Sequence, residues 1–328
     1  MTSLAPLTIE RFLSTWRFDL WATLAAVGLL SAYAVGLVRA RRRGIRWPWS
    51  RVAAFAVLGV GLLVVGTMSS LTIYSRVLLW PAALQVTLLL TVVPVGLGLG
   101  DPLGLVTAGL GSGGATRWRN GLHHPVVRVL TYPIVAPLLA LATQFLVFFT
   151  GYLGAAQRST TVMDLLELQL VVTGCLFALP LLGFEVLPRW CTQPVRMALA
   201  GVDGLLDAIP GIAVMTSSAL VAGGYYGTVT RDWGPSRSWD QTIGGGLMIT
   251  VAEVVAIPFV AIIYRAWIRE DASAAAIVDH QLDVAEERRV LSAADTDGPV
   301  ADLPWWEIDP GPLADRAARY GWRERDSP

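Results

Sequence analysis

Chemistry in this chain has to come from very few side chains. Its apolar stretches carry the acids Asp164, Glu167, Asp203, Asp207, Asp240 and Glu253 and the amides Gln85, Gln144 and Gln169. Ionisable groups at membrane depth are functional candidates by default. Glu253 sits near the middle of the last apolar run and could face an ion pathway or serve packing alone through an interhelical bond. Histidine occurs only as His123, His124 and His280, and none lies in an apolar run. A haem held by axial histidines is therefore not expected, nor is a Ser–His or Cys–His nucleophile. His123 and His124 adjoin in a loop and read as a solvated pair rather than a metal site. The glycines in "GSGG" at 111–114 lack the Lys-Ser/Thr continuation of a phosphate cradle. Cys175 and Cys191 form no disulfide framework. No catalytic role is expected.

The elements that must position these residues are membrane spans. Of the 328 residues 54% are hydrophobic and 15% charged, with a mean hydropathy of +0.55. A soluble domain carries about 25% charged residues, so this is an integral membrane protein. Seven runs are long enough to cross a hydrocarbon core of about 30 Å: 19–38, 52–68, 77–99, 129–150, 162–184, 205–223 and 242–267. The sixth is interrupted by Pro210, Gly211, Thr216, Ser217 and Ser218 and is expected to be broken or kinked. The fold expected is all-α, a bundle of seven transmembrane helices.

Charge orients it. The loops after the first, third, fifth and seventh runs hold 13 Arg and the alternate loops hold 4. Basic residues stay on the cytoplasmic side, which places the N-terminus outside and the C-terminus in the cytoplasm of a bacterial plasma membrane. "RARRRGIRWPWSR" (Arg39–Arg51) then reads as a topogenic, lipid-facing loop and not as a nucleic-acid patch. Met1–Trp16 has no basic region ahead of an apolar core, so no cleavable signal peptide is expected. Residues 1–18 form an outer segment, 19–269 the membrane domain and 270–328 a tail. The first 269 residues hold 19 Arg against 11 acids, whereas the tail holds 6 against 14. Such a tail buries too little to fold alone, apart from a helix over Ala272–Leu291. Trp305 and Trp306 could dock on a partner or the headgroups, or be an incidental pair.

With the spans laid out, three segments resemble the CtaG family of cytochrome c oxidase assembly factors. "WDQTIGGGLM" (Trp239–Met248) is similar to that family's Asp-Gln-x-x-Gly-Gly motif through Asp240, Gln241, Gly244 and Gly245. "LWPAALQVTLLLTVVPVGLGLGDPL" (Leu79–Leu103) resembles the third span, with Pro94 and the "GDP" at 100–102. "MDLLELQLVVTGCLFALPLL" (Met163–Leu182) resembles the fifth. The resemblance implies a role in oxidase assembly, with copper as the family's metal and oxidase subunits or other assembly factors as partners. The family's histidine positions fall here on Trp80 or Pro81, Gln85, Phe148 or Phe149, Met163 and Glu167. Every one is substituted. A thioether with carboxylates is a poor Cu(I) site, so no cofactor is expected, with Met163, Glu167 and Asp240 as weak candidates.

Two functions follow. One is a membrane scaffold or docking factor for oxidase biogenesis, contacting lipid and protein but not nucleic acid. The other is a small-molecule or ion transporter using Glu253 and the broken sixth span. The orientation is testable on its own: reporter fusions after Arg51, Arg128 and Arg196 should all give cytoplasmic signals, and external signals from any two would reverse the topology.

Overall fold

The computed structural model describes residues 4–110, 112–122, 124–132, 134–182 and 192–294. The chain divides into two compact units, Met1–Trp267 and Ile268–Pro328. Among the described residues every regular element is a helix and there is no strand. The long helices are α1 (Leu20–Arg42), α2 (Trp49–Tyr74), α3 (Leu79–Gly109), α4 (Val135–Phe149), α5 (Tyr152–Arg158), α6 (Thr160–Leu182), α7 (Gln193–Thr216) and α8 (Arg237–Ala294). Six are long and apolar enough to cross a membrane, and α4 with α5 makes a further candidate bent by 65°.

Two segments differ from the sequence expectation. The run at 129–150 becomes α4, which begins at Val135 and is followed by a sharp bend into α5. Thr150 makes that bend by turning extended, donating its hydroxyl to the Leu146 carbonyl and accepting from the Tyr152 N–H. The break expected inside the sixth run lies after it instead. Helix α7 starts earlier, at Gln193, and runs through Pro210 to Thr216, so Ser217 and Ser218 fall in the following loop. Pro194 suits a helix start because its missing N–H would be unpaired there anyway. Arg196 and Asp207 can occupy a helix of this kind because both are buried against protein. In the second unit residues 268–294 are helical, with Ile277, Val278 and Leu282 exposed. The expected helix Ala272–Leu291 is thus part of α8, and Trp305 and Trp306 lie outside the described residues.

Helix α3 is the hub of the first unit. Two-thirds (67%) of its membrane window is buried, against 17% for α1. Lipid tails are as apolar as leucine, so helices in a bilayer associate by close packing and interhelical hydrogen bonds. Small residues provide the packing. A side chain at Gly96 would collide with the α2 backbone at Leu58 and Gly59, and one at Gly66 would lie 2.9 Å from the Leu89 side chain. The stretches Ala54–Gly61 of α2 and Leu88–Val92 of α3 are both wound as π-helix, a wider turn found mostly as short bulges.

At its other end α3 turns at Gly100 and Asp101. Asp101 adopts a left-handed conformation (φ 50°), caps the Gly104 N–H at 3.0 Å and pairs with Arg51 at 2.7 Å. Tyr33 donates to the Gly100 carbonyl at 2.8 Å, stacks on Phe55 and receives the Trp47 indole N–H. Trp47 is thereby tied into the protein, while Trp49 is exposed. A cavity of about 1000 Å³ runs between α1 and α6, lined by Ala25, Gly28, Leu168 and Val172, with Asp19, Asp164 and Glu167 at one end.

Because Gly96 meets backbone rather than a movable side chain, Gly96→Leu should cost about 1–3 kcal/mol or more from overpacking. Gly28→Ala, where a Cβ meets nothing within 4 Å, should leave the unfolding temperature in detergent unchanged.

Candidate functional site

The first turn of α3 leaves backbone N–H groups without helical acceptors, and they lie inside the bundle. Asp240 on α8 meets them. Its two carboxylate oxygens accept from Leu79 N–H at 2.9 Å and Trp80 N–H at 3.0 Å. Arg231 donates to the same carboxylate at 3.3 Å, in a pair whose side chains are only 7% and 2% exposed. Two backbone donors, a helix N-terminus and a guanidinium all favour a carboxylate at this point.

The rest of the motif completes a clasp. Gln241 accepts the Val221 N–H at 3.0 Å and donates to the carbonyls of Ser217 and Ala219 at 3.0 and 3.1 Å. It thereby holds the loop that follows α7. A Cβ on Gly244 would sit 3.3 Å from Ala83 on α3, and one on Gly245 would sit 2.7 Å from the Met215 nitrogen on α7. Each residue of the motif therefore binds α8 to a different neighbour: Asp240 and Gly244 to α3, Gln241 to the loop, Gly245 to α7.

The loop seals this end. The Tyr226 hydroxyl donates to the Ser75 carbonyl at 2.7 Å, and Gln157 approaches it at 3.5 Å. Burial pushes the Tyr226 phenol well above the usual range. Arg158 lies over the Tyr225 ring at 4.9 Å, and Trp233 packs edge-on against Tyr74.

Gln85 and Glu167 form a second polar contact. The Gln85 amide donates to the Glu167 carboxyl at 2.9 Å and to the Thr72 hydroxyl at 3.4 Å, joining α3, α6 and α2. Met163 is buried one turn before Glu167 on α6. The structure does not bring Asp240 to this pair: Asp240 serves Leu79 and Trp80, whereas Gln85 lies five to six residues further, about 8–9 Å along the helix. Phe148 is fully buried and Phe149 is 42% exposed, so they do not line one common wall. Trp80 contributes its backbone N–H to the clasp and its side chain is half-buried. Glu253 lies on an exposed face of α8. Among the described residues no cluster of three or more His, Cys, Asp and Glu is arranged to hold a metal ion.

Two residues that matter are not singled out by the sequence: Arg231 is one of four loop arginines, and Tyr226 carries no signal of its own. Gln144, one of the three candidate amides, donates to Asp207 at 3.0 Å.

A bundle whose described residues form only helices, six of them long and apolar enough to cross a membrane, is a multi-pass membrane protein. The model of the cytochrome c oxidase caa3 assembly factor family (Caa3_CtaG) matches residues 31–270, and the chain belongs to that family. It is 32% identical over 285 residues to an uncharacterized protein of Mycobacterium bovis, and equally so to one of Mycobacterium tuberculosis, covering 85% of this chain and 43% of each relative. It is 27% identical over 300 residues to an uncharacterized protein of Mycobacterium leprae, covering 89% of this chain and 44% of the relative. The chain thus spans less than half the length of these relatives. No solved structure matches it.

The clasp has a measurable weight. Asp240→Ala strips two buried N–H groups and a buried guanidinium of their acceptor and should lower stability by about 3–5 kcal/mol, whereas Arg231→Ala, which leaves the two backbone bonds, should cost less. Thermal unfolding of both variants in the same detergent checks the order.

Proposed function

We propose that the protein is an assembly factor for a cytochrome c oxidase that works as a membrane scaffold, docking oxidase subunits or other assembly factors without carrying copper itself. The observation that carries this reading is the clasp: the segment that most clearly resembles the family is consumed in joining α8 to α3, α7 and their loop. No side chain of it is left over to hold a ligand.

The residues at the family's metal positions do not fit Cu(I). Gln85 and Glu167 are hard oxygen and amide groups already bonded to one another, and Met163 offers a single thioether. Cu(I) favours several soft or imidazole ligands, and the chain has no histidine in any span. We place the N-terminus outside, count the bent α4–α5 pair as the seventh span and assign the protein to the bacterial plasma membrane, on the strength of the Arg asymmetry and the 65° bend. Division into an outer segment, a membrane domain to residue 269 and a cytoplasmic tail follows from the same reading, as does a role without catalysis.

Deleting the gene should lower the amount of assembled oxidase in native membranes. Wild-type protein, Met163→Ala and Glu167→Gln should restore it, and purified protein should contain no stoichiometric copper by elemental analysis. One copper per chain, lost on Met163→Ala, would overturn the scaffold reading.

A further inference from the structure

The cavity of about 1000 Å³ between α1 and α6 carries its acids at one end only. Its wall descends from Asp164 to Pro180, about 24 Å along α6, and is faced by Gly28, Leu168 and Val172. One leaflet of hydrocarbon is about 15 Å deep, half of the whole core. The seam is therefore long and apolar enough to take an acyl chain laid beside α6.

The acidic end lies at the start of both helices. Asp19 stands just before α1, and Asp164 and Glu167 are near the start of α6. Trp16 and Trp21, close to Asp19 in the chain, are exposed, as in the aromatic belt at a headgroup level.

These acids are not matched from within the protein. Arg17 is 3.9 Å from the Asp19 carboxylate, with 34% of its side chain exposed. Glu167 is nine-tenths buried, and Gln85 donates to its Oε1 at 2.9 Å. No donor among the described residues reaches its Oε2. Asp164 is half-buried, and none of the described residues donates to its carboxyl. Three carboxyls against one guanidinium leave this end short of cations and of donors. A carboxyl without a partner beside an apolar wall is costly.

A fitting occupant joins a long apolar chain to a compact head that donates hydrogen bonds. A purely anionic head would be repelled by the acids, and a quaternary ammonium has no N–H to give. A primary ammonium brings three donors, and a phosphate beside it can meet Arg17 in a charge-assisted bond.

We propose that the seam binds one phosphatidylethanolamine lipid, with an acyl chain between α1 and α6, the ammonium at Asp164 and Glu167, and the phosphate at Arg17. The site does not depend on the assembly role.

The test uses full-length protein in nanodiscs of equimolar phosphatidylethanolamine, phosphatidylcholine and phosphatidylglycerol, re-extracted in mild detergent and weighed by native mass spectrometry. One phosphatidylethanolamine should stay bound, preferred about tenfold over either other lipid. Asp164→Asn keeps the shape and removes one charge; it should erase the preference while leaving the helical content unchanged. Gly28→Leu, at a position where a Cβ meets nothing within 4 Å, fills the seam and should remove the bound lipid itself. Glu253→Gln, on an exposed face of α8, should leave binding and preference intact. Equal retention of the three headgroups would overturn the proposal, since the seam would then hold bulk lipid. So would a preference for phosphatidylglycerol, or one for phosphatidylethanolamine that survives Asp164→Asn.

Discussion

A helix that starts inside an apolar bundle has backbone donors and no water to receive them, and α3 is the most buried of the six candidate spans among the described residues. The Asp240 carboxylate resolves that by accepting two of those donors at once. The other contacts of α3 depend on this register. Gly96 can seat against Leu58 and Gly59, and Gln85 can reach Glu167, only when the start of the helix is fixed. At the opposite end, Asp101 does a similar task for the segment that follows it and is itself held by Arg51. Acids at both ends of one helix, each paired with an arginine from a different element, define how far it can slide.

Between the two ends, cohesion comes from closeness. Gly96 against Leu58 and Gly59, Gly174 against Leu90, and Gly211 against Gly245 bring backbones into direct contact at three crossings. In a medium that offers no hydrophobic drive between helices, such crossings and the few polar pairs carry the fold. This explains why polar side chains are scarce yet seldom idle: Gln85, Gln144, Gln157 and Gln241 all bond across elements.

Much of the fold was legible because apolar run length and arginine placement are one-dimensional properties. Helix existence followed from them, and the segments over Leu79–Leu103 and Trp239–Met248 pointed to the family. Boundaries were less legible. The start of α7 at Gln193 was hidden because Arg196 and Asp203 lower the hydropathy ahead of residue 205, and burial against protein makes Arg196 acceptable there. The bend at Thr150 depends on one hydroxyl serving two backbone groups, which no hydropathy window reports. For the site, the motif residues were legible as types but not as partners. Asp240 is legible as a motif acid, but that its two oxygens accept from Leu79 and Trp80 is not.

The seam between α1 and α6 has a different consequence. With little of α1 buried and about 1000 Å³ open beside it, the described residues leave this wall unfinished. Were acyl chains to fill it, the environment of Glu167 at one end of the seam would be set partly by which lipids the host membrane makes. A change in chain length or unsaturation would then reach a buried carboxyl of this protein without any change in its sequence.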